Sequence, residues 1–130
     1  MHRREAGFTL IELMIVVVVV GVLASLAIPR FHEVAVGAKE AEAGPLLKQL
    51  YTLQERYVQK NSHYATAIDS LEGGRASFAS TRYYEVELTP DTEGTRFVAC
   101  AKPKSEFAAE LAYFSVDRDR GVTRSETGCE

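Results

Sequence analysis

The sequence predicts an α+β fold: a long N-terminal α-helix, half apolar and half amphipathic, packed on a C-terminal antiparallel β-sheet of three to four strands. Three observations predict it. Residues 8–28 form an apolar run interrupted by one charge, Glu12. Leu46, Leu50, Leu53 and Tyr57 then recur at spacings of 4, 3 and 4, the period of one helix face. From residue 84 onward, short runs alternate apolar with polar side chains and are separated by turn clusters.

The first element follows from length. The 21 residues from Phe8 to Ile28 make a helix of about 32 Å, against a bilayer core of about 30 Å. Ahead of it, residues 1–7 carry Arg3 and Arg4. Positive flanks stay on the cytoplasmic side, so the body after residue 30 is expected outside the cytoplasm. The run exceeds the 7–15 residues or so of a secretory signal core, although Ala24-Ser25-Leu26-Ala27 has the small residues of a cleavage site. An ordinary single-pass anchor also fits the length. Neither accounts for Glu12. A charge deep in a bilayer costs roughly 2.5–3.5 kcal/mol, and near a helix end snorkelling relieves part of that. Glu12 is thus either a tolerated snorkelling carboxylate or one kept for a partner cation. Gly21 and Pro29 are weak points in the same helix. Pro29 has no N–H, which leaves the Ser25 carbonyl without its helical partner. Gly21 follows five valines, Val16–Val20, which are only moderate helix formers.

Past Pro29 the chain turns polar, with Arg30, His32, Glu33, Lys39, Glu40 and Glu42. Residues 30–60 form the amphipathic half, its stripe broadened by Leu47, Tyr51 and Val58. A bend is expected at Gly44-Pro45 and an end near Lys60, where Asn61-Ser62 can stop the helix. Residues 61–82 connect helix to sheet, pinned to the core by Tyr64, Ile68 and Leu71, with a turn at Gly73-Gly74. Residues 83–130 carry the sheet. Tyr84, Val86 and Leu88 alternate with Glu85, Glu87 and Thr89; Pro90 to Gly94 is a turn; residues 96–101 and 111–117 are the next strands. Asp119-Arg120-Gly121 is a hairpin turn into a short strand, Val122 to Arg124.

A net charge of −3 over 130 residues excludes a general attraction to nucleic acid or anionic membrane surfaces. Cys100 and Cys129 are too few for a cysteine-only zinc site and match no common metal spacing. In an exported domain a disulfide between them is the economical reading; in a cytosolic protein they would be two reduced thiols. The disulfide would close a 30-residue loop, which stabilises by about 3.6 kcal/mol in the loop-entropy model. His63 lies near Tyr64 and Asp69 but no nucleophile motif accompanies it. Asp117 and Asp119 suggest a calcium loop, but Arg118 and Arg120 interleave them, which favours a plain turn. Arg75, Arg82, Arg96, Lys102 and Lys104 are candidates for a basic surface. No catalytic residue, metal site or cofactor is expected.

The stretch Gly7-Phe8-Thr9-Leu10-Ile11-Glu12-Leu13-Met14-Ile15-Val16, continued by Gly21 and Ala27-Ile28-Pro29, resembles the prepilin signature of type IV pilins and type II secretion pseudopilins. Its features are a short basic leader, a terminal glycine, an aromatic residue, and an acid four positions on within an apolar helix. The resemblance covers about the first 30 residues and implies the pilin fold, with residues 1–7 as leader and residues 8–29 as the membrane and assembly helix. It implies cleavage between Gly7 and Phe8 by a membrane prepilin peptidase, which would also methylate the new amine of Phe8. It implies that Glu12 draws the subunit into a filament by pairing with the N-terminal amine of a neighbour. It places Gly21 and Pro29 where filaments of the family often lose helical structure, makes residues 61–82 the variable segment, and likens the Cys100–Cys129 pair to the C-terminal disulfide loop of pilins.

The expected function is therefore a structural subunit, a pilin of a type IV pilus, and an enzyme's substrate rather than an enzyme. Its expected partners are copies of itself, other pilins, the prepilin peptidase and the assembly platform. Its expected location is the inner membrane before assembly, then a surface pilus or periplasmic pseudopilus. The alternative is a type II secretion pseudopilin. Two further alternatives are a non-polymerising, membrane-anchored binding domain with its leader intact, and a secreted domain cut near Ala27.

Overall fold

A computed structural model describes residues 7–91, 93–119 and 121–129. The leader residues ahead of Gly7, and Arg120 of the expected hairpin turn, lie outside the described residues. The chain divides into two compact units, one ending at Ala35 and one beginning at Val36.

The first unit is the greater part of helix α1 (Leu10–Glu40). Thr9 starts it: its hydroxyl accepts the Glu12 N–H at 3.2 Å and its carbonyl accepts the Leu13 N–H at 3.2 Å. The helix runs unbroken through Gly21 and Pro29. Near Pro29, Ser25 turns its hydroxyl back to the Val22 carbonyl at 2.7 Å, a local bond that serine often makes within helices.

The second unit begins with the last turn of α1. The expected bend comes earlier than Gly44-Pro45: α1 stops at Glu40, Ala41 and Glu42 form a turn, and α2 spans Ala43–Asn61. Pro45 explains the offset. A proline ring clashes with the carbonyl four residues before it, here that of Ala41, while its missing N–H costs nothing in the first turn of a new helix. The break therefore falls before the proline and Pro45 sits inside the first turn of α2. At the other end Ser62 adopts the left-handed conformation (φ 62°) and its N–H closes onto the Val58 carbonyl at 2.8 Å. This is the stop that Asn61-Ser62 predicted.

Two short 3-10 turns, Ile68–Ser70 and Gly74–Phe78, organise the connecting segment. Tyr64, Ile68, Leu71 and Phe78 from this segment are buried. The sheet is an antiparallel meander in the order β1 (Tyr84–Pro90), β2 (Phe97–Pro103), β3 (Tyr113–Asp117), β4 (Gly121–Ser125). Strand β3 starts two residues later than the alternation suggests. Leu111 N–H is spent on the Phe107 carbonyl and Ala112 N–H on Glu40 Oε1, so neither joins the ladder. Gly121 takes a positive φ of 73° in the β3–β4 turn, where a side chain is disfavoured.

The core lies between α2 and one face of the sheet. Leu46, Leu47 and Leu50 meet Tyr84, Phe97, Ala99, Ala101 and Val116. The two alanines of β2 stand beside Val116 and Phe114 of β3, and their small size lets the helix approach the sheet centre. Tyr51 and Tyr64 pack on the Phe97 ring at 6.1 and 4.9 Å. Polar side chains then tie the loops to the helices. Gln54, fully buried, donates to the Ala65 carbonyl at 3.0 Å and accepts the Ala65 N–H at 2.9 Å. Both carboxylate oxygens of Glu42 accept backbone N–H groups, from Arg82 and Tyr83, at 2.7 Å each. Lys39 binds Glu110 at 2.8 Å and lies 5.6 Å from the centre of the Phe107 ring.

Two predictions follow from these contacts. Gln54→Leu leaves a buried N–H and a buried C=O of Ala65 unpaired, so it should destabilise the protein by about 2–5 kcal/mol, read by urea denaturation. A gain in stability would show that the amide contributes nothing beyond its volume. Tyr84, fully buried and donating to the Ala112 carbonyl at 2.8 Å, has its phenol pushed up to about 12 by burial and then by the nearby Glu40 charge. An unfolded tyrosine ionises near pH 10 or so. Stability is therefore whole below that pH and should fall as pH rises toward about 12, because only the unfolded chain then releases the proton. An ultraviolet titration of the native protein should show Tyr84 ionising late, with Tyr64, also raised by burial and then by Glu55, late as well among its six tyrosines.

Candidate functional site

The site expected at the N-terminus is built from the start of α1. Gly7, Phe8 and Thr9 precede the helix, and all three are exposed, Phe8 at 85%. An added Cβ on Gly7 would meet nothing within 4 Å among the described residues. Glu12 lies in the first turn, where the helix dipole favours an anion. Among the described residues its carboxylate has no hydrogen bond or ion pair, while its N–H is held by Thr9. Thr9 was missed by the sequence reading, although Thr9-Leu10-Ile11-Glu12 has the spacing of a capping box ahead of an apolar run. The structure forms the threonine half of that box, and the glutamate half is not made among the described residues.

Nothing in α1 is buried. Leu10, Ile11, Leu13, Met14, Ile15, the five valines, Val22, Leu23, Leu26 and Ile28 are each more than half exposed. Such a surface is far larger than a soluble monomer leaves in water, and it marks a lipid or protein contact. The helix is long and apolar enough to cross a membrane. Gly21 and Pro29 both sit within this helix, in helical conformation.

The other expected pair is brought together. Cys100 and Cys129 form a disulfide, with 5.8 Å between their Cα atoms. Cys100 is on β2 in a row running across the sheet from Glu87 through Cys100 and Ser115 to Thr123. This row faces away from α2, so the bond fastens the C-terminal segment to the outer face of the sheet.

The remaining candidates are dispersed. His63 stacks edge-on against Tyr57 at 5.7 Å, whereas Asp69 pairs with Arg75 at 3.3 Å. Asp119 N–H donates to Asp117 Oδ1 at 3.0 Å, the internal bond of a turn. Asp91 is held below the usual carboxylate range, mainly by the Thr95 hydroxyl donating at 2.6 Å. No group of three or more potential metal ligands occurs among the described residues. Of the basic candidates, Arg75 lines a groove with Lys102 and another with Lys104, with Glu85 in both. Arg82 lies over the Tyr83 ring at 5.5 Å and Arg96 borders Asp117 and Asp119, so the five do not make one basic patch.

Residues 2–28 match the family model described as the prokaryotic N-terminal methylation motif. The chain carries that motif. Its homologues are type IV pilins and type II secretion pseudopilins. It is 47% identical over 64 residues to the type IV major pilin protein PilA of Myxococcus xanthus (strain DK1622), covering 49% of this chain and 29% of that protein. It is 38% identical over 71 residues to type II secretion system core protein G of Dickeya chrysanthemi, covering 55% and 46%. It is 36% identical over 83 residues to the type IV major pilin protein PilE of Neisseria gonorrhoeae, covering 63% and 48%. The aligned part thus spans about half the length of two of these relatives and less than a third of PilA.

The disulfide gives the prediction that belongs to this geometry. Cys129→Ser, or reduction, reopens the 30-residue loop from Cys100 to Cys129 and should lower stability by about 3.6 kcal/mol if the loop-entropy model holds. Paired melts with and without reductant check it, and an unchanged melting temperature would show that the bond only decorates a sheet stable without it.

Proposed function

We propose that the chain is a structural subunit of a type IV pilus, made as a prepilin with residues 1–7 as leader. It is cut between Gly7 and Phe8 by a prepilin peptidase, methylated at the Phe8 amine, and polymerised through α1. The observation that carries this reading is the Glu12 carboxylate, without a partner among the described residues, in the first turn of an exposed apolar helix. Desolvating a lone carboxylate is costly, and an amine from a neighbouring subunit's Phe8 supplies the missing charge. Wrong docking leaves both charges unpaired, so the pair sets the register as well as attracting the subunit. The methylation motif supports the same chemistry, as do the names of the relatives.

Before assembly, α1 spans the membrane with the leader in the cytoplasm and the sheet unit outside it. In the filament, apolar helices face one another and the sheet units face solvent. Gly21 and Pro29 are the positions at which helical structure is most easily given up during that transfer. The similarity to core protein G sustains a second reading, a periplasmic pseudopilus subunit, which uses the same N-terminal chemistry. The Cys100–Cys129 disulfide favours the pilus.

Intact mass and N-terminal sequencing of native membrane and sheared-filament fractions test the proposal. The expected product lacks seven residues of the 130 and starts at N-methylated Phe8. Abundance in the sheared fraction supports the pilus, and confinement to membranes supports the pseudopilus. A chain starting at Met1, or cut near Ala27, overturns both. Glu12→Leu should abolish filaments while leaving membrane insertion and leader removal intact, because loss of one partner of a buried pair costs about 3–5 kcal/mol at each contact.

A further inference from the structure

The register of the sheet decides which backbone groups face outward at its two edges. Lys104 N–H donates to the Tyr83 carbonyl at 2.9 Å and Asp91 N–H to the Arg96 carbonyl at 3.2 Å. Both continue the register of Glu85↔Lys102 and Glu87↔Cys100. In an antiparallel ladder hydrogen-bonded pairs alternate with non-bonded ones, so Val86 and Leu88 turn their N–H and C=O groups away from β2. The same alternation passes through Ala99↔Val116 and Ala101↔Phe114, then through Ser115↔Thr123 and Asp117↔Gly121. Val122 and Arg124 therefore present theirs at the free edge of β4. Among the described residues, no loop or side chain supplies a partner to these outward groups.

Open edges of this kind are templates for another strand. The β1 edge borders a 440 Å³ groove whose other wall is Thr66, Ala67 and Ile68 with Arg75. The two edges differ in charge. Strand β1 carries Glu85 and Glu87 and no base; β4 carries Arg124 and no acid. Two β1 edges brought together would align carboxylates, which is unfavourable. A β4 edge brings no acid to the outer row of Glu87 and offers the Thr123 hydroxyl there; Val122, 48% exposed, is on the helix-facing side, as is Arg124, which is already paired with Glu40 and Glu126. Leu88 and Val86 occupy that side of β1.

We propose that the β1 edge of one copy pairs antiparallel with the β4 edge of the next, aligning Val86 with Arg124, Glu87 with Thr123 and Leu88 with Val122. This puts apolar Leu88 beside Val122 and sets the Glu87 carboxylate beside the Thr123 hydroxyl. Because β1 and β4 are opposite edges of one sheet, the contact is head-to-tail and propagates instead of closing a dimer. The proposal rests on the filament reading, since it names where neighbouring subunits touch outside α1.

The test is a cysteine pair, Glu87→Cys with Thr123→Cys, in the full-length chain. Mild oxidation of sheared filaments and of membranes is followed by non-reducing electrophoresis and mass spectrometry of the joined peptides. The expected result is a ladder of covalent dimers, trimers and longer species linked 87 to 123, and only monomer from either single variant. Adding Val122→Pro, which removes an outward N–H and no ladder bond, should abolish the ladder while leaving the melting temperature nearly unchanged. Filaments that form without a ladder overturn the edge pairing and leave the pilus reading standing. Dimers from Glu87→Cys alone, or a ladder that survives Val122→Pro, also overturn it. If the wild-type chain forms no filaments, the pilus reading fails, and the membrane fraction still reports on the edges: monomer there overturns the pairing.

Discussion

The packing of α2 across β2 is the contact on which the rest of the C-terminal unit depends. Ala99 and Ala101 hold the sheet centre low enough for Leu46, Leu47 and Leu50 to reach it, and Phe97 fills the space under Tyr51 and Tyr64. Once this interface is set, α2, the turn before it and the end of α1 become a fixed rail to which the loops are attached. Each attachment uses a polar side chain that satisfies backbone groups: Gln54 at Ala65, Glu42 at Arg82 and Tyr83, Glu40 at Ala112. Loop backbones that touch a core must find partners, and here Gln54 of α2 and the two glutamates just before it supply them. Arg124 completes the set by reaching from β4 to Glu40 at 3.2 Å, and that ion pair raises its own affinity for protons.

The N-terminal unit obeys the opposite logic. It has no core, and its apolar side chains are exposed along the whole length of the helix up to Ile28. The stability of such a segment comes from whatever surrounds it, which on the proposed reading is lipid first and neighbouring helices after assembly. On the proposed reading, Glu12 would make that exchange directional, because a bilayer does not satisfy a carboxylate and a neighbouring amine does. Thr9 accepts the Glu12 N–H, one of the free donors of the first turn.

The disulfide and the two sheet edges give the outer part of the chain complementary tasks. The Cys100–Cys129 bond closes the C-terminal segment onto the outer face, while the outward groups of β1 and β4 have no partner among the described residues. A monomer that kept both edges open would risk indiscriminate pairing. The two acids of β1 disfavour pairing of one β1 edge with another, while β4 carries no acid.

The sequence by itself determined the elements whose signal is periodic or compositional. These are the apolar run with its lone acid, the leucine stripe of α2, the Asn61-Ser62 stop and the alternation of β1. In each the physical cause is local: side-chain spacing, a missing N–H, or a residue tolerant of positive φ. The tertiary structure alone decided the rest. Gln54 interrupts the apolar stripe between Leu50 and Tyr57, and no local rule says whether such a residue faces water or a loop. The late start of β3 depends on Glu40 taking an amide 72 residues away in sequence. The helix break moved to Ala41 and Glu42 because Pro45 acts on the carbonyl behind it. The outward groups of β1 and β4 became visible only through the register, since hydrogen-bond parity belongs to paired strands and not to either strand alone.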